Sequence, residues 1–285
     1  MANITKSQSN YLYKLIKFVH DILIKNKISY WVTGGSLLGA IRHRGVIPWD
    51  DDGDICIMKK DVNKLRDLID KFKKGGYLLQ EGEDEDDDED DDEDDDEDDD
   101  NEKSCKEKNN SCTWFVERSD GKGLGLDIFI MEKIGNIITY ADPSWRCASN
   151  GGKSCYFFFD HVFPLIPIKF GNFFVMTPNN PIEHLNLCYG SDWNTMAQRL
   201  YDHREGKWIN SKKRRMLPSD YRTIPPPKET HDDKVPVNIK PDLNFRNENW
   251  ELISTRELKF FAKSLHIQNY TKLTRTELIN KIKNI

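Results

Sequence analysis

Apolar residues along this chain recur at two periods, one helical and one strand-like. Residues 7–25 carry apolar side chains three and four positions apart, which predicts an amphipathic helix. Ile28–Val32 reads as a short buried strand that runs into Thr33-Gly34-Gly35-Ser36, a turn whose glycines permit close backbone approach. The pattern then predicts a helix over Leu37–Arg42, a loop over His43–Asp52, a strand over Asp54–Met58 and a helix over Asp61–Lys74.

The second half of the chain continues the same alternation. Strand patterning resumes at Thr113–Glu117 and Leu124–Met131, and aromatic-rich strands or loops follow over 155–176. Pro178–Tyr189 predicts a short helix that ends at Gly190, a residue suited to a helix C-cap. These elements predict an α+β fold, a mixed β-sheet with flanking helices, over residues 1–204.

Two further segments follow this predicted domain. Residues 205–249 are rich in Pro and charge and predict an extended linker or a surface wrap. Residues 250–285 predict a small helical hairpin in which Ser254 with Glu257, and Thr274 with Glu277, form capping boxes. One apolar face of the hairpin combines Leu258, Phe261, Ala262 and Leu265.

Charge is distributed very unevenly. Every residue from Glu81 to Glu102 is Asp or Glu except Gly82 and Asn101, so the formal net charge of −6 conceals a basic remainder. Because like charges repel and no apolar residue can anchor the run, 81–112 is predicted to be a disordered acidic insert within the domain. The remaining chain, with 7 Trp and 14 Phe, has enough apolar side chains for a substantial core.

Neither a membrane span nor a signal peptide is visible in the sequence. The apolar stretches are interrupted by charges or prolines, and the N-terminus MANITKSQSN is polar. The 6 cysteines are too sparse for a disulfide framework. We therefore expect a cytoplasmic or virion-associated protein.

Most candidate site residues lie in one segment, residues 31–57, which reads WVTGGSLLGAIRHRGVIPWDDDGDICI. Asp50, Asp52 and Asp54 alternate where a strand begins, so that Asp52 and Asp54 point to one face. Asp127, a lone acid among apolar strand residues, is the candidate third carboxylate, since a buried carboxylate needs a partner or a metal. Such oxygen ligands suit Mg²⁺ or Mn²⁺ and predict phosphoryl or nucleotidyl transfer.

The residues between these acids and the preceding strand are suited to binding a phosphate group. Gly34, Gly35 and Ser36 offer backbone amides to a phosphate group, and Arg42 offers charge. Two alternatives stay open: Ser36 caps the following helix, and Arg42 pairs with the aspartates. His43 is predicted to be a surface residue.

Three motifs in order resemble the LicD family, which includes fukutin and the fukutin-related protein. They are GGSLLGAIRHRGVIPWDDDGDICI, LDIFIME and FPLIPIKFGNFFVMTPNNPIEHLNLCYGSDW. The resemblance implies a nucleotidyltransferase-like fold and transfer of phosphocholine, ribitol phosphate or a similar group from a CDP-activated donor to a glycan hydroxyl.

The same resemblance assigns roles to residues. Asp52 and Asp54 are then the principal metal ligands with Asp50 assisting, and Asp127 is a third ligand or general base. Gly34, Gly35, Ser36 and Arg42 face the donor. The segment DIFIME departs from the family pattern, which leaves Glu132 without an assigned role.

Several other hypotheses remain open from the sequence. Cys105, Cys112, Cys147 and Cys155 form a loosely spaced candidate Zn²⁺ site, with free thiols as the alternative. The C-terminal segment weakly resembles a SAP or Rho-N module that binds nucleic acid, and a hairpin docked on the main domain is equally compatible. Two alternative functions follow: a nucleic-acid-directed nucleotidyltransferase and a non-catalytic binding protein with a degenerate site.

Overall fold

The computed structural model describes residues 3–82, 113–120, 124–142, 156–198, 212–236 and 267–283, with a few positions between them (201–202, 207–208, 255, 258–259 and 262). The predicted disordered insert beyond Gly82 lies outside the described residues. So do the four candidate zinc cysteines, and so do Ser254 and Glu257 of the first predicted C-terminal cap.

The predicted helices and strands occur in the predicted order, and two strands that the pattern did not predict, Tyr77–Glu81 and Ile137–Tyr140, join them. The α-helices are α1 Lys6–Lys25, α2 Gly34–Leu38, α3 Val62–Arg66, α4 Ile69–Lys74, α5 Phe159–Val162, α6 Pro181–Tyr189 and α7 Arg275–Lys283. The longer strands are β1 Tyr30–Val32, β2 Gly53–Met58, β3 Tyr77–Glu81, β4 Thr113–Arg118, β5 Leu126–Ile134, β6 Ile137–Tyr140, β7 Tyr156–Phe158, β8 Ile166–Phe170 and β9 Phe173–Thr177. Among the described residues, four two-residue strands follow: β10 Met196–Ala197, β11 Tyr201–Asp202, β12 Lys207–Trp208 and β13 Arg214–Arg215.

Within the described residues, seven strands form one mixed sheet. Five of them run in the order β1-β2-β5-β4-β3, and β6 and β7 extend the sheet beside the second half of β5. Strands β2 and β5 are parallel, and the other neighbours in this sheet are antiparallel. The predicted α+β fold, with a mixed sheet and flanking helices, is therefore confirmed.

The two faces of the sheet differ in burial. One row across four strands is wholly apolar and buried; it consists of Val32, Ile55, Ile128 and Trp114. Helix α1 packs on this face, where Ile16 lies beside Gly53 and Leu126. The preceding row, Asp54, Asp127, Phe115 and Gln80, points to the opposite face because side chains alternate along a strand. The acids therefore lie on the face away from α1.

Helix α1 begins and packs as its sequence predicts. Thr5 caps it: Thr5 Oγ1 accepts from the Gln8 N–H, and the Thr5 N–H donates to Gln8 Oε1, which forms a capping box. Its buried residues include Leu12, Leu15, Ile16, Val19 and Leu23, at the predicted helical spacing, and Ile22 of the same pattern is half-buried.

Two local predictions were wrong in detail. Gly34, Gly35 and Ser36 form the first turn of α2 rather than a separate turn, and a π-helical turn over Gly39–His43 follows instead of a continuous helix. The predicted helix over 61–74 breaks between Arg66 and Ile69 into α3 and α4. Helix α2 connects the adjacent strands β1 and β2, whereas α3 and α4 connect β2 to β3, three positions away in the sheet.

The Pro-rich segment 212–236 packs on the sheet domain. Tyr13 Oη donates to the carbonyl of Ile224 at 2.8 Å, and Asn172 Nδ2 donates to the carbonyl of Pro227 at 3.0 Å. An ion pair joins Lys17 to Asp232 at 3.3 Å. Of the two predictions for this region, linker or surface wrap, the described part has the contacts of a wrap.

The C-terminal residues share a hydrophobic cluster with the sheet. Leu258, Ala262, Leu278 and Ile282 are buried together with Ile134, Ile137 and Tyr156. Thr274 and Glu277 form the predicted capping box. The contacts are those of a hairpin docked on the main domain. None of the helices in the described regions has the length and apolar character to cross a bilayer.

Candidate active site

Three of the predicted acids meet at the start of two parallel strands. Asp54 of β2 and Asp127 of β5 are direct neighbours across the sheet, and Asp52 precedes β2. One carboxylate oxygen from each of the three lies within 4.8 Å of the others. Hard oxygen ligands at this spacing on a half-buried surface fit a divalent cation such as Mg²⁺ or Mn²⁺.

The electrostatics of this triad also favour a cation. Burial, and then the charges of Asp52, Asp50 and Asp127, raise the pKa of Asp54 well above its usual range. Carboxylates this close cannot all ionise without compensation, and a bound cation would supply it.

The double glycine is required by the space that the acids occupy. A Cβ on Gly34 would lie 2.7 Å from Asp54 Oδ2, and a Cβ on Gly35 would overlap Asp50 Oδ2. Gly34 also has a φ of +48°, a left-handed conformation that favours glycine. Asp50 therefore lies against Gly35, whereas the three acids that share a 4.8 Å spacing are Asp52, Asp54 and Asp127.

Ser36 ties α2 to the acidic strand. Its backbone N–H donates to Asp54 Oδ2 at 3.2 Å, and its Oγ accepts from the Asp54 backbone N–H at 2.9 Å. The alternative that Ser36 caps α2 was wrong, because the cap position is Thr33 and Ser36 lies inside the helix.

Arg42 and His43 are held between the acids and the wrap. Arg42 Nη1 donates to the carbonyl of Trp193 at 2.7 Å, and the guanidinium lies 5.8 Å from the ring centre of Trp49. Burial lowers the pKa of Arg42 to about 10, so it stays charged at neutral pH. The expected exposure of His43 was wrong: its ring is buried, and Nε2 lies 3.0 Å from the carbonyl oxygen of Asp220.

Helix α6 closes one side of the site. Its His184 is fully buried, stacks on Phe157 at 3.9 Å between ring centres, and places Nε2 3.2 Å from Thr33 Oγ1. Gly190 ends the helix with a φ of +83°, as predicted. Burial and the charge of Asp54 raise the pKa of Tyr189, the last residue of α6, well above its usual range. Its hydroxyl therefore remains protonated beside the acids.

The structure brings together most, but not all, of what the sequence singled out. Asp52, Asp54 and Asp127 converge, with Gly34, Gly35, Ser36 and Asp50 packed against them. Glu132 lies further along β5 and pairs with Lys59 at 3.5 Å. The sequence reasoning missed His184 and Phe115. His184 could have been found, because a histidine on the apolar side of α6 stands out in the sequence. Phe115 could not, because only the strand register reveals its position.

Comparison with known proteins places this site in a family. Residues 27–180, more than half of the chain, match the model of the LicD/FKTN/FKRP nucleotidyltransferase domain. An uncharacterised protein, RP689 of Rickettsia prowazekii, is 34% identical over 187 residues, 65% of this chain and 56% of that protein. The chain thus spans about half the length of such rickettsial relatives.

Two relatives have names that state an activity. The lipopolysaccharide cholinephosphotransferase LicD of Haemophilus influenzae is 36% identical over 70 residues, which are 25% of this chain and 26% of that protein. The ribitol 5-phosphate transferase FKRP of Mus musculus is 26% identical over 181 residues, which are 63% of this chain and 31% of that protein. The matched domain, with its converging acids and glycine turn, shows that this chain belongs to the LicD/FKTN/FKRP family of nucleotidyltransferase domains.

Proposed function

We propose that this chain is a divalent-metal-dependent transferase that moves a phosphorylated alcohol from a CDP-linked donor to a glycan hydroxyl. The observation that carries the proposal is the spacing of Asp52, Asp54 and Asp127, whose oxygens lie within 4.8 Å of one another beside a glycine turn. The names of the relatives, a cholinephosphotransferase and a ribitol 5-phosphate transferase, support phosphocholine or a phosphopolyol as the transferred group.

The acids of the site would hold Mg²⁺ or Mn²⁺. Asp52, Asp54 and Asp127 are the proposed ligands, and Asp50 assists through its charge at the edge of the group. A divalent cation bound there supplies charge that stabilises the phosphate oxygens during transfer.

The α2 turn and Arg42 are proposed to orient the donor. Gly34 and Gly35 let the carboxylates of Asp54 and Asp50 lie directly against the backbone, so a phosphate held by a cation at the triad would lie beside the α2 turn. Arg42 remains charged near Asp50, and its fixed position against Trp193 suits it to attract a phosphate.

Proton removal from the acceptor hydroxyl is assigned to the acidic cluster. Among the proposed ligands, Asp127 has the central strand position, next to Asp54 on one side and Phe115 on the other. A carboxylate there lies where a hydroxyl group would approach the donor phosphate, so we assign it the base role alongside metal binding.

The test is a binding and turnover panel. CDP-choline, CDP-ribitol, CTP, UTP and ATP are each added with Mg²⁺, with Mn²⁺ and without metal, and the melting temperature and donor breakdown are followed. The proposal expects a metal-dependent shift confined to the CDP-alcohols, and loss of turnover in Asp52→Ala and Asp54→Ala with folding retained. Asp67→Ala, an exposed acid at the end of α3, is the matched control. Full metal-dependent turnover in both site variants contradicts the proposal.

A further inference from the structure

A phenylalanine lies in the same sheet row as the acids. Phe115 of β4 is directly opposite Asp127 of β5, and Asp127 is directly beside Asp54 of β2. Gln80 of β3 continues the row on the far side of Phe115. Paired residues point to the same face, so the row reads acid, acid, aromatic ring, amide across four adjacent strands.

The ring of Phe115 is exposed. Phe115 is 41% exposed, whereas Trp114 and Val116 on either side of it are completely buried on the other face. Phe129, two residues along β5 on the same face, is half-buried, and its ring meets Tyr140 edge to face at 5.7 Å. An open aromatic surface thus adjoins the acids.

Because of the strand order, substrates can reach the acids from two different sides. Gly34 and Ser36 contact Asp54 from the β2 side, where α2 packs on β2 and α6 packs on α2. Phe115 and Gln80 lie on the opposite side, because β4 and β3 follow β5 away from β2. A two-substrate transfer needs both approaches, and the glycine side is assigned to the donor under the proposed function.

We propose that Phe115 is the platform on which a sugar ring of the acceptor packs, an inference that rests on the proposed function. The non-polar C–H face of a pyranose ring packs against an aromatic ring, while its hydroxyls need hydrogen-bond partners at the edge. The amide of exposed Gln80 both donates and accepts, so it matches hydroxyl groups.

The spacing of the row fits the reaction. Adjacent strands lie about 5 Å apart, so a ring over Phe115 is one strand spacing from Asp127. That distance is about the width of a sugar ring, so a hydroxyl on the near edge reaches the acids while the far edge reaches Gln80. The platform therefore selects a cyclic acceptor and points one hydroxyl at the site.

Four substitutions in the full-length protein test this assignment. Phe115→Ala and Phe115→Leu remove the ring, Phe115→Tyr keeps it, and Ile69→Ala removes an equally exposed apolar residue from α4. The probes are an oligosaccharide array read with Mg²⁺ and CDP-choline or CDP-ribitol present, and the KM for soluble para-nitrophenyl glycosides. Donor hydrolysis by water is followed in the same samples.

The expected result is selective for the acceptor. Phe115→Ala and Phe115→Leu should weaken glycan binding and raise the acceptor KM about tenfold or more, while Phe115→Tyr and Ile69→Ala stay near the wild type. Donor hydrolysis should be unchanged in Ile69→Ala, and in the Phe115 variants it should change much less than the acceptor KM does. Phe115→Leu binding as tightly as the wild type, or a wild type that retains no glycan on the array, overturns the platform. Failure of the wild type to bind or hydrolyse either CDP donor overturns the proposed function instead.

Discussion

Ser36 and Asp54 exchange two hydrogen bonds across the start of the site. The Ser36 N–H donates to the Asp54 carboxylate at 3.2 Å, and the Asp54 N–H donates to the Ser36 hydroxyl at 2.9 Å. The pair joins α2 to β2, so the glycine turn and the acidic strand are positioned as one unit. The same contact from Ser36 opposes the rise in the pKa of Asp54.

Ser36→Ala should weaken both the fold and the site. It leaves the Asp54 N–H without its hydroxyl acceptor, a loss that costs about 1–3 kcal/mol in a buried location. We expect a lower urea midpoint and weaker Mn²⁺ binding by calorimetry. Ser9→Ala is the matched control, since Ser9 is equally buried but donates within α1 to the carbonyl of Lys6. Mn²⁺ affinity equal to that of the wild type in Ser36→Ala would contradict this coupling.

Gly34→Ala should abolish metal binding through a clash rather than through strain alone. The new Cβ would lie 2.7 Å from Asp54 Oδ2 in a backbone with φ of +48°. Gly76→Ala separates the two effects, because Gly76 has a φ of +87° but no atom within 4 Å of an added Cβ.

The two alanine variants should therefore lose similar unfolding free energy but differ in Mn²⁺ affinity. Both lose about 1–2 kcal/mol of unfolding free energy to the left-handed backbone. Only Gly34→Ala should lose Mn²⁺ affinity, by at least about tenfold. Equal Mn²⁺ affinity in the two variants would show that the glycine is needed for its backbone conformation alone.

The elements of the site could be predicted because local patterns determine them. Alternation placed Asp52 and Asp54 on one face, and the burial cost of a lone acid in an apolar strand singled out Asp127. Strand pairing is non-local, so the row that joins Asp127 to Phe115 could not be read from the chain. His43 was misjudged for a similar reason: the wrap that buries it comes from Asp220 and Thr223, about 180 residues later.

Acid should destabilise the protein through buried histidines. Burial lowers the pKa of His20 to about 4 and that of His184 to about 3. Above pH 6.5 these groups are neutral in both states, so they add no pH dependence. As the pH falls from 6.5 to 4 the unfolded chain gains protons first, and stability falls, by about 3 kcal/mol for His20 alone.

The His20 contribution can be isolated by one substitution. His20 Nδ1 lies 2.6 Å from Tyr30 Oη, a hydroxyl that accepts from the Met176 N–H and so can donate to the neutral ring. His20→Gln keeps an acceptor there without a titrating group. Urea unfolding at pH 7.5, 6, 5 and 4.5 should show a shallower loss in this variant. An unchanged slope would assign the acid sensitivity to other groups.

Replacing the acidic insert should leave donor binding intact. Strands β3 and β4 are antiparallel neighbours, and the Gly82 N–H donates to the Thr113 carbonyl at 2.9 Å, so the two ends of the insert meet. A four-residue turn in place of 83–112 closes the hairpin with a shorter loop, which stabilises it by about 1–2 kcal/mol. Urea unfolding and donor titration measure the two effects. A rise in donor affinity would instead mark the insert as a competing polyanion.

Asp52, Asp54 and Asp127 are expected to form a divalent-metal site, and calorimetric titration with Mn²⁺ measures that binding without any donor or acceptor present. Asp127→Asn keeps the size of the side chain but removes its charge, and Asp67→Asn removes an exposed charge from the end of α3. We expect saturable Mn²⁺ binding by the wild type and Asp67→Asn, and affinity at least about tenfold weaker in Asp127→Asn. Equal Mn²⁺ affinity in all three proteins, each shown to be folded, would contradict it.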